Sequence, residues 1–181
     1  MRVTVFGSAR TGEGTPEYAV ARELGRLLAG RGDVVVSGGY GGVMEAASRG
    51  AREAGGQVVG VTVAPWIGRL EPNVYLSEEI SAENLLSRLE ALVESDALIA
   101  LDGGAGTLLE VALAWNLRQM SLMPVKPIIL LGKRWSALLE SFRATLIIDE
   151  QDLDLLTLAD TPAGAVAALE TSSSQSGQFR G

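Results

Sequence analysis

The chain has 181 residues, 47% of them apolar and 5% aromatic, with a formal net charge of −7; this suits one α/β domain with a sizeable core and excludes a disordered chain. The absence of cysteine and histidine excludes disulfides, thiol nucleophiles, Cys- or His-ligated metals, Ser-His-Asp triads and imidazole bases. Scattered Arg residues, two lysines (Lys126 and Lys133) and the acidic balance leave no basic stripe for a nucleic acid.

In chain order, Val3–Phe6 reads as a first strand, its apolar run too short for a signal peptide. Thr15 as N-cap and Pro16 at the first helical position predict a helix over Pro16–Ala29. A strand over Val34–Ser37 and a helix over Val43–Ala54, stopped by two glycines, come next. Val58–Val63 is a buried strand, Val74–Leu76 a weaker candidate, and Ser81–Glu94 a helix with Leu85, Leu86, Leu89 and Leu92 on one face. The strand Ala97–Leu101, helix Thr107–Met120, strand Ile128–Leu131 and helix Ser136–Ala144 follow. A weak strand at Leu146–Ile148 and a helix over Pro162–Leu169 close the pattern. No run of about twenty apolar residues exists to span a membrane, and the chain reads as cytoplasmic.

Alternating strands and helices of these lengths indicate βαβ units. The expected fold is therefore α/β, a Rossmann-like doubly wound, mainly parallel sheet with helices on both faces. It forms a single domain over residues 1–170. The segment "TSSSQSGQFRG" from Thr171 has no apolar periodicity and reads as a flexible tail over residues 171–181.

Three strands end in glycine-rich turns: "FGSARTGEG", "SGGYGG" and "LDGGAGT". A single glycine turn commonly just reverses a chain. Three at equivalent strand ends converge on one crevice, where open α/β sheets bind ligands. Glycine admits close backbone approach, and a helix start offers free N–H donors to an anion. The triphosphate-loop and dinucleotide glycine spacings are both missing, so a mononucleotide or another one-phosphate ligand fits best. Glu110, on the first turn after Thr107, either complements the helix dipole or faces the crevice. Glu45 occupies a comparable place after "SGGYGGVM". Two carboxylates pointing into one crevice would suit ribose recognition or an oxocarbenium ion.

Together, "SGGYGGVMEAASRGAREAGG" and "LDGGAGTLLEVALAWN" resemble the Lonely Guy family and its relatives, long mislabelled as lysine decarboxylases. The family's second motif reads Pro-Gly-Gly-x-Gly-Thr-x-x-Glu. Gly103, Gly104, Gly106, Thr107 and Glu110 match it, and Asp102 stands in the proline's place. Gly38, Gly39, Gly42 and Met44 match the first motif. The resemblance implies a Rossmann-like homodimer, or a higher oligomer, that cleaves nucleoside 5′-monophosphates to free base and ribose 5-phosphate. It implies that Gly103, Gly104, Ala105, Gly106 and Thr107 cradle the phosphate, and that Glu110 stabilises the charge developing on the ribose. Gly7, Ser8, Gly38 and Gly39 would line the pocket. No cofactor and no metal are expected.

Active family members also carry a Met-His-x-Arg-Lys segment whose Arg works with the Glu. An ungapped count back from "SDALIALDGG" puts that Arg at Ser87 and the following Lys at Arg88. One residue is about 100° of helix rotation. Arg88 either reaches the site through its long side chain, as the catalytic partner of Glu110, or is a solvated surface residue. Arg10 and Arg69 are alternative cations without motif support. The "GGVMEA" form and the altered Arg segment are also compatible with a related branch, the molybdenum cofactor carrier proteins, which binds a pterin phosphate without cleaving a nucleotide. The decarboxylase label fails on chemistry, because neither Lys126 nor Lys133 has the surroundings of a Schiff-base lysine. Trp115 reads as core or dimer interface, and Arg69–Glu79 as a surface connection or a pocket cover. Asp102 would cap its turn through N–H groups two or three residues on, or hold a cation.

Overall fold

The computed structural model describes residues 1–64 and 70–176, the side chains of 172–176 excepted. Arg69 therefore lies outside the described residues. Seven strands form one sheet: β1 (Arg2–Phe6), β2 (Val34–Ser37), β3 (Val58–Val63), β4 (Glu78–Ala82), β5 (Ala97–Leu101), β6 (Ile128–Leu131) and β7 (Thr157–Ala159). Their order is β4-β3-β2-β1-β5-β6-β7 and every pairing is parallel. The order reverses at β1, whose other neighbour is β5, so the crevice outside their carboxyl ends is the place for a ligand.

The helices are α1 (Pro16–Gly30), α2 (Val43–Glu53), α3 (Leu85–Val93), α4 (Ala105–Gln119), α5 (Lys133–Thr145), α6 (Glu150–Leu153) and α7 (Pro162–Ser176). Alternation along the strands divides the core between two faces. Val3, Val5, Val35 and Ile99 pack with Leu24 and Leu28 of α1, Val43 and Ala47 of α2 and Leu169 of α7. Phe6, Val36, Val61 and Leu98 pack with Leu92 of α3, Val111 of α4 and Trp135 of α5. The parallel, doubly wound expectation holds. Thr15 caps α1 by accepting from the Tyr18 N–H, and Pro16 opens it.

Three local expectations need correction. Val74–Leu76 is not a strand; the fourth strand is Glu78–Ala82, which the sequence reading merged in part into the following helix. Its Glu78 and Glu79 stay exposed because β4 is a sheet edge, where charge is tolerated and discourages further pairing. Leu146–Ile148 is no strand either: Leu146 follows the end of α5 and Ile147 is fully exposed. The seventh strand is three residues of an exposed edge at Thr157–Ala159. The last helix runs to Ser176, past Leu169. Among the described residues no helix is long and apolar enough to cross a membrane.

Candidate functional site

Ser8 ties the three glycine loops together. Its N–H donates to the Asp102 carbonyl (3.3 Å), and its carbonyl accepts from Val43 N–H (2.9 Å) at the start of α2. Gly42 permits this closure. Its φ is +73°, and a Cβ there would lie 2.2 Å from the Ser8 carbonyl oxygen. Gly7 packs against Val43, and Gly39 against Thr62 and Gly60. In the third loop Thr107 is buried beneath Gly103. Gly104, Ala105 and Gly106 are exposed at the start of α4. No side chain caps that start, so its first N–H groups face outward as a ready anion cradle.

Arg88 is buried, at 6% exposure. The helix cap explains how it gets there despite the one-residue offset. Asn84 caps α3, accepting from Leu86 N–H (2.9 Å) and Ser87 N–H (3.0 Å), while Ser87 Oγ accepts from Asn84 N–H (3.2 Å). Ser87 is thus spent on the capping box, and the next residue, Arg88, reaches the β3 strand and the second glycine loop. Arg88 Nε donates to the Val61 carbonyl (2.8 Å) and Nη2 to the Gly38 carbonyl (3.2 Å). Its Cζ stands 5.7 Å from the Tyr40 ring centroid, within cation–π range. A Cβ on Gly38 would lie 1.9 Å from Nη2 and 2.6 Å from the sulfur of Met44, so only glycine leaves room for the guanidinium.

The remaining face of Arg88 meets Glu110. Nη1 and Oε1 are 3.7 Å apart, an ion pair too long for a hydrogen bond. Burial pushes the Glu110 carboxyl up to about 7, with the Arg88 charge opposing. Burial likewise lowers the Arg88 guanidinium, with Glu110 opposing. A carboxyl held near neutrality beside a fixed cation, on the helix that starts with the uncapped glycine turn, has the chemistry to exchange a proton or to offset a positive charge.

Three neighbours went unnoticed in the sequence. Asn73 donates from Nδ2 to the carbonyls of Gly39 and Tyr40 (both 3.1 Å) and from its backbone to Gly39 (2.8 Å), clamping the second loop. Its side chain also accepts from Tyr75 N–H, an Asx turn that "EPNVY" signals. Tyr40 is anchored by its hydroxyl, which accepts from Val63 N–H (2.9 Å). Arg134, from α5, faces Asp102.

The other candidates have other partners. Glu45 accepts from the Tyr18 hydroxyl (3.1 Å) with one oxygen, and the other stands 3.8 Å from where a Cβ on Gly41 would sit, so it stays beside the second loop and makes no ion pair with Arg88. Arg10 is exposed. Asp102 caps no turn: Oδ1 is buried without a partner, and Oδ2 lies 3.8 Å from Arg134 Nε. Burial raises its pKa, with Arg134 opposing. Trp115 is a core contact, stacked with Phe142 and donating to the Asp152 carbonyl (2.6 Å). Lys126 donates to the Val93 and Ser95 carbonyls at the end of α3. On their outer side α3 and α4 border an open apolar groove of about 600 Å³, lined by Leu86, Leu89, Leu109, Leu113 and Leu117 among others.

The chain is similar to several known proteins. An uncharacterized protein of Archaeoglobus fulgidus is 36% identical over 139 residues, which cover 74% of this chain and 86% of that protein. A probable cytokinin riboside 5′-monophosphate phosphoribohydrolase of Oryza sativa subsp. japonica is 37% identical over 121 residues. That match takes in 61% of this chain and 46% of the rice protein, so the chain spans about half the length of that relative. The structure of the molybdenum cofactor binding protein of Rippkaea orientalis has a TM-score of 0.74 at 29% identity, covering 94% of this chain and 95% of the other. The profile of the SLOG cluster4 family matches residues 1–162, which hold every loop of the crevice together with Arg88 and Glu110; the chain belongs to that family.

Proposed function

We propose that the protein binds nucleoside 5′-monophosphates and hydrolyses their N-glycosidic bond. Water adds across that bond, its hydroxyl going to ribose C1′ and its proton to the departing base, to give ribose 5-phosphate. The observation that carries this reading is the pair of buried Arg88 and half-buried Glu110, 3.7 Å apart, beside an uncapped glycine cradle. The cradle N–H groups of Gly103 to Thr107 hold the phosphate. Ionised Glu110 stabilises the positive charge that grows on the ribose as the bond breaks, in a setting where little water screens it. Arg88, fixed by Val61, Gly38 and Tyr40, keeps Glu110 ionised often enough to act. Gly7, Ser8, Gly38, Gly39, Gly42 and Met44 shape the pocket.

Incubation with a panel of nucleoside monophosphates, followed by chromatography for free bases, tests the reading. Wild-type protein should release adenine from AMP, while Glu110→Gln should stop release and still bind AMP by calorimetry. No binding at millimolar AMP overturns it. A second reading rests on the near-complete coverage by the Rippkaea protein: the cradle takes a pterin phosphate and carries it unprocessed. Tight binding of molybdopterin without base release from any monophosphate would select that alternative.

The working unit is a homodimer, formed through the apolar α3–α4 groove. Leu86 (76% exposed) and Leu122 (65%) are poorly placed for a monomer's surface. The cytoplasm, where nucleoside monophosphates are found, is the compartment that suits this activity.

A further inference from the structure

An anion cradle that begins with a carboxylate is electrostatically odd, and the side chain of Asp102 shows where the charge goes. Among the described residues no hydrogen bond joins it to the cradle N–H groups. Its Oδ1 is buried and unpartnered, 2.9 Å from where a Cβ on Gly132 would sit. Its Oδ2 stands 3.8 Å from Arg134 Nε, and Arg134 Nη2 stands 3.9 Å from Oε1 of Glu17. Asp102 opens the β5–α4 loop, and Glu17 lies in the first turn of α1, just past the β1–α1 loop. The guanidinium therefore stands between the residue that opens the β5–α4 loop and the first turn of α1. It is 78% exposed and too far from either acid for a hydrogen bond.

We propose that Arg134 is a phosphate-binding residue of this site, held beside the cradle by Asp102 and Glu17 until a phosphate monoester takes its guanidinium. The inference rests on the phosphate half of the function proposed above and not on the identity of the base. A dianion offering two oxygens to a guanidinium fork is a stronger partner than a carboxylate standing 3.8 Å away. Until the phosphate arrives, the same arrangement offsets the charge of Asp102, because a cation stands 3.8 Å from its carboxylate.

Calorimetry with AMP, adenosine and ribose 5-phosphate, on wild type, Arg134→Ala and Arg134→Lys, tests this. The alanine variant should weaken AMP and ribose 5-phosphate by about tenfold, as the loss of one charge-assisted contact does, and leave adenosine unchanged. Lysine should lose less, keeping the charge without the fork. Unchanged AMP and ribose 5-phosphate affinity in Arg134→Ala, or an equal loss for adenosine, overturns the proposal. Wild type that binds ribose 5-phosphate through Arg134 but not AMP would retain it and overturn the nucleotide reading. Binding of neither phosphate by wild type overturns both.

Discussion

Glu110 carries opposite demands in one carboxyl: burial favours its protonated form, and the Arg88 charge favours the ionised one. The balance, at about 7 against an ordinary 4.5, has a sign that stability can reveal. Between those values an unfolded chain gives up this proton while the folded protein keeps it, so folding weakens as pH rises through the window. The cost levels off above 7 at about 3 kcal/mol, given 1.36 kcal/mol per pH unit. Glu110→Gln lacks the effect. Whatever its offset at pH 4, it should gain on wild type between pH 4.5 and 7, read as the difference in urea midpoints; parallel profiles would refute the buried setting. At this scale the sequence was partly legible. Glu110, Thr107 and the glycines stood in recognisable spacing, but the direction of Arg88 did not, because it depends on Asn84 and Ser87 forming a cap. Asn73, Tyr40 and Arg134 were hidden for a different reason. Each acts through contacts to segments distant in sequence, and no local pattern encodes such contacts.

At the scale of elements, the start of α3 decides whether the site exists. The Asn84 capping box sets the helix's first turn, and with it the rotation that delivers Arg88 to Val61 and Gly38. Asn84→Ala should cost about 1 kcal/mol of stability, the usual worth of an N-cap. It should also reduce base release by more than the unfolded fraction explains, because the guanidinium loses its aim. Thermal unfolding and activity measured on one preparation would separate the two effects. Strong local signals made α1 readable, with Thr15 and Pro16 at its start. The edges of the sheet were not readable. The β4 strand carries Glu78 and Glu79 and pairs on one side only, and β7 is three residues long. Such strands are held by backbone pairing, which leaves no apolar run in the sequence.

At the scale of the molecule, the proposed site and the proposed dimer both draw on α3 and α4. Arg88 and Glu110 face the crevice, and leucines of the same helices line the outer groove. Leu86→Asp places a charge at an exposed groove position and should leave the monomer folded. Sedimentation should show wild type as a dimer and the variant as a monomer; a monomeric wild type would refute the assembly. The strand order has a further consequence, for synthesis. The β1 strand ends central in the sheet, yet its partner β5 is made about a hundred residues later. Until then a growing chain that has laid down β1 to β4 holds Val3 to Phe6 as an open apolar edge, the kind that recruits other chains. Chains interrupted between β4 and β5 should therefore aggregate, whereas the finished protein ends in the short or charged strands β7 and β4.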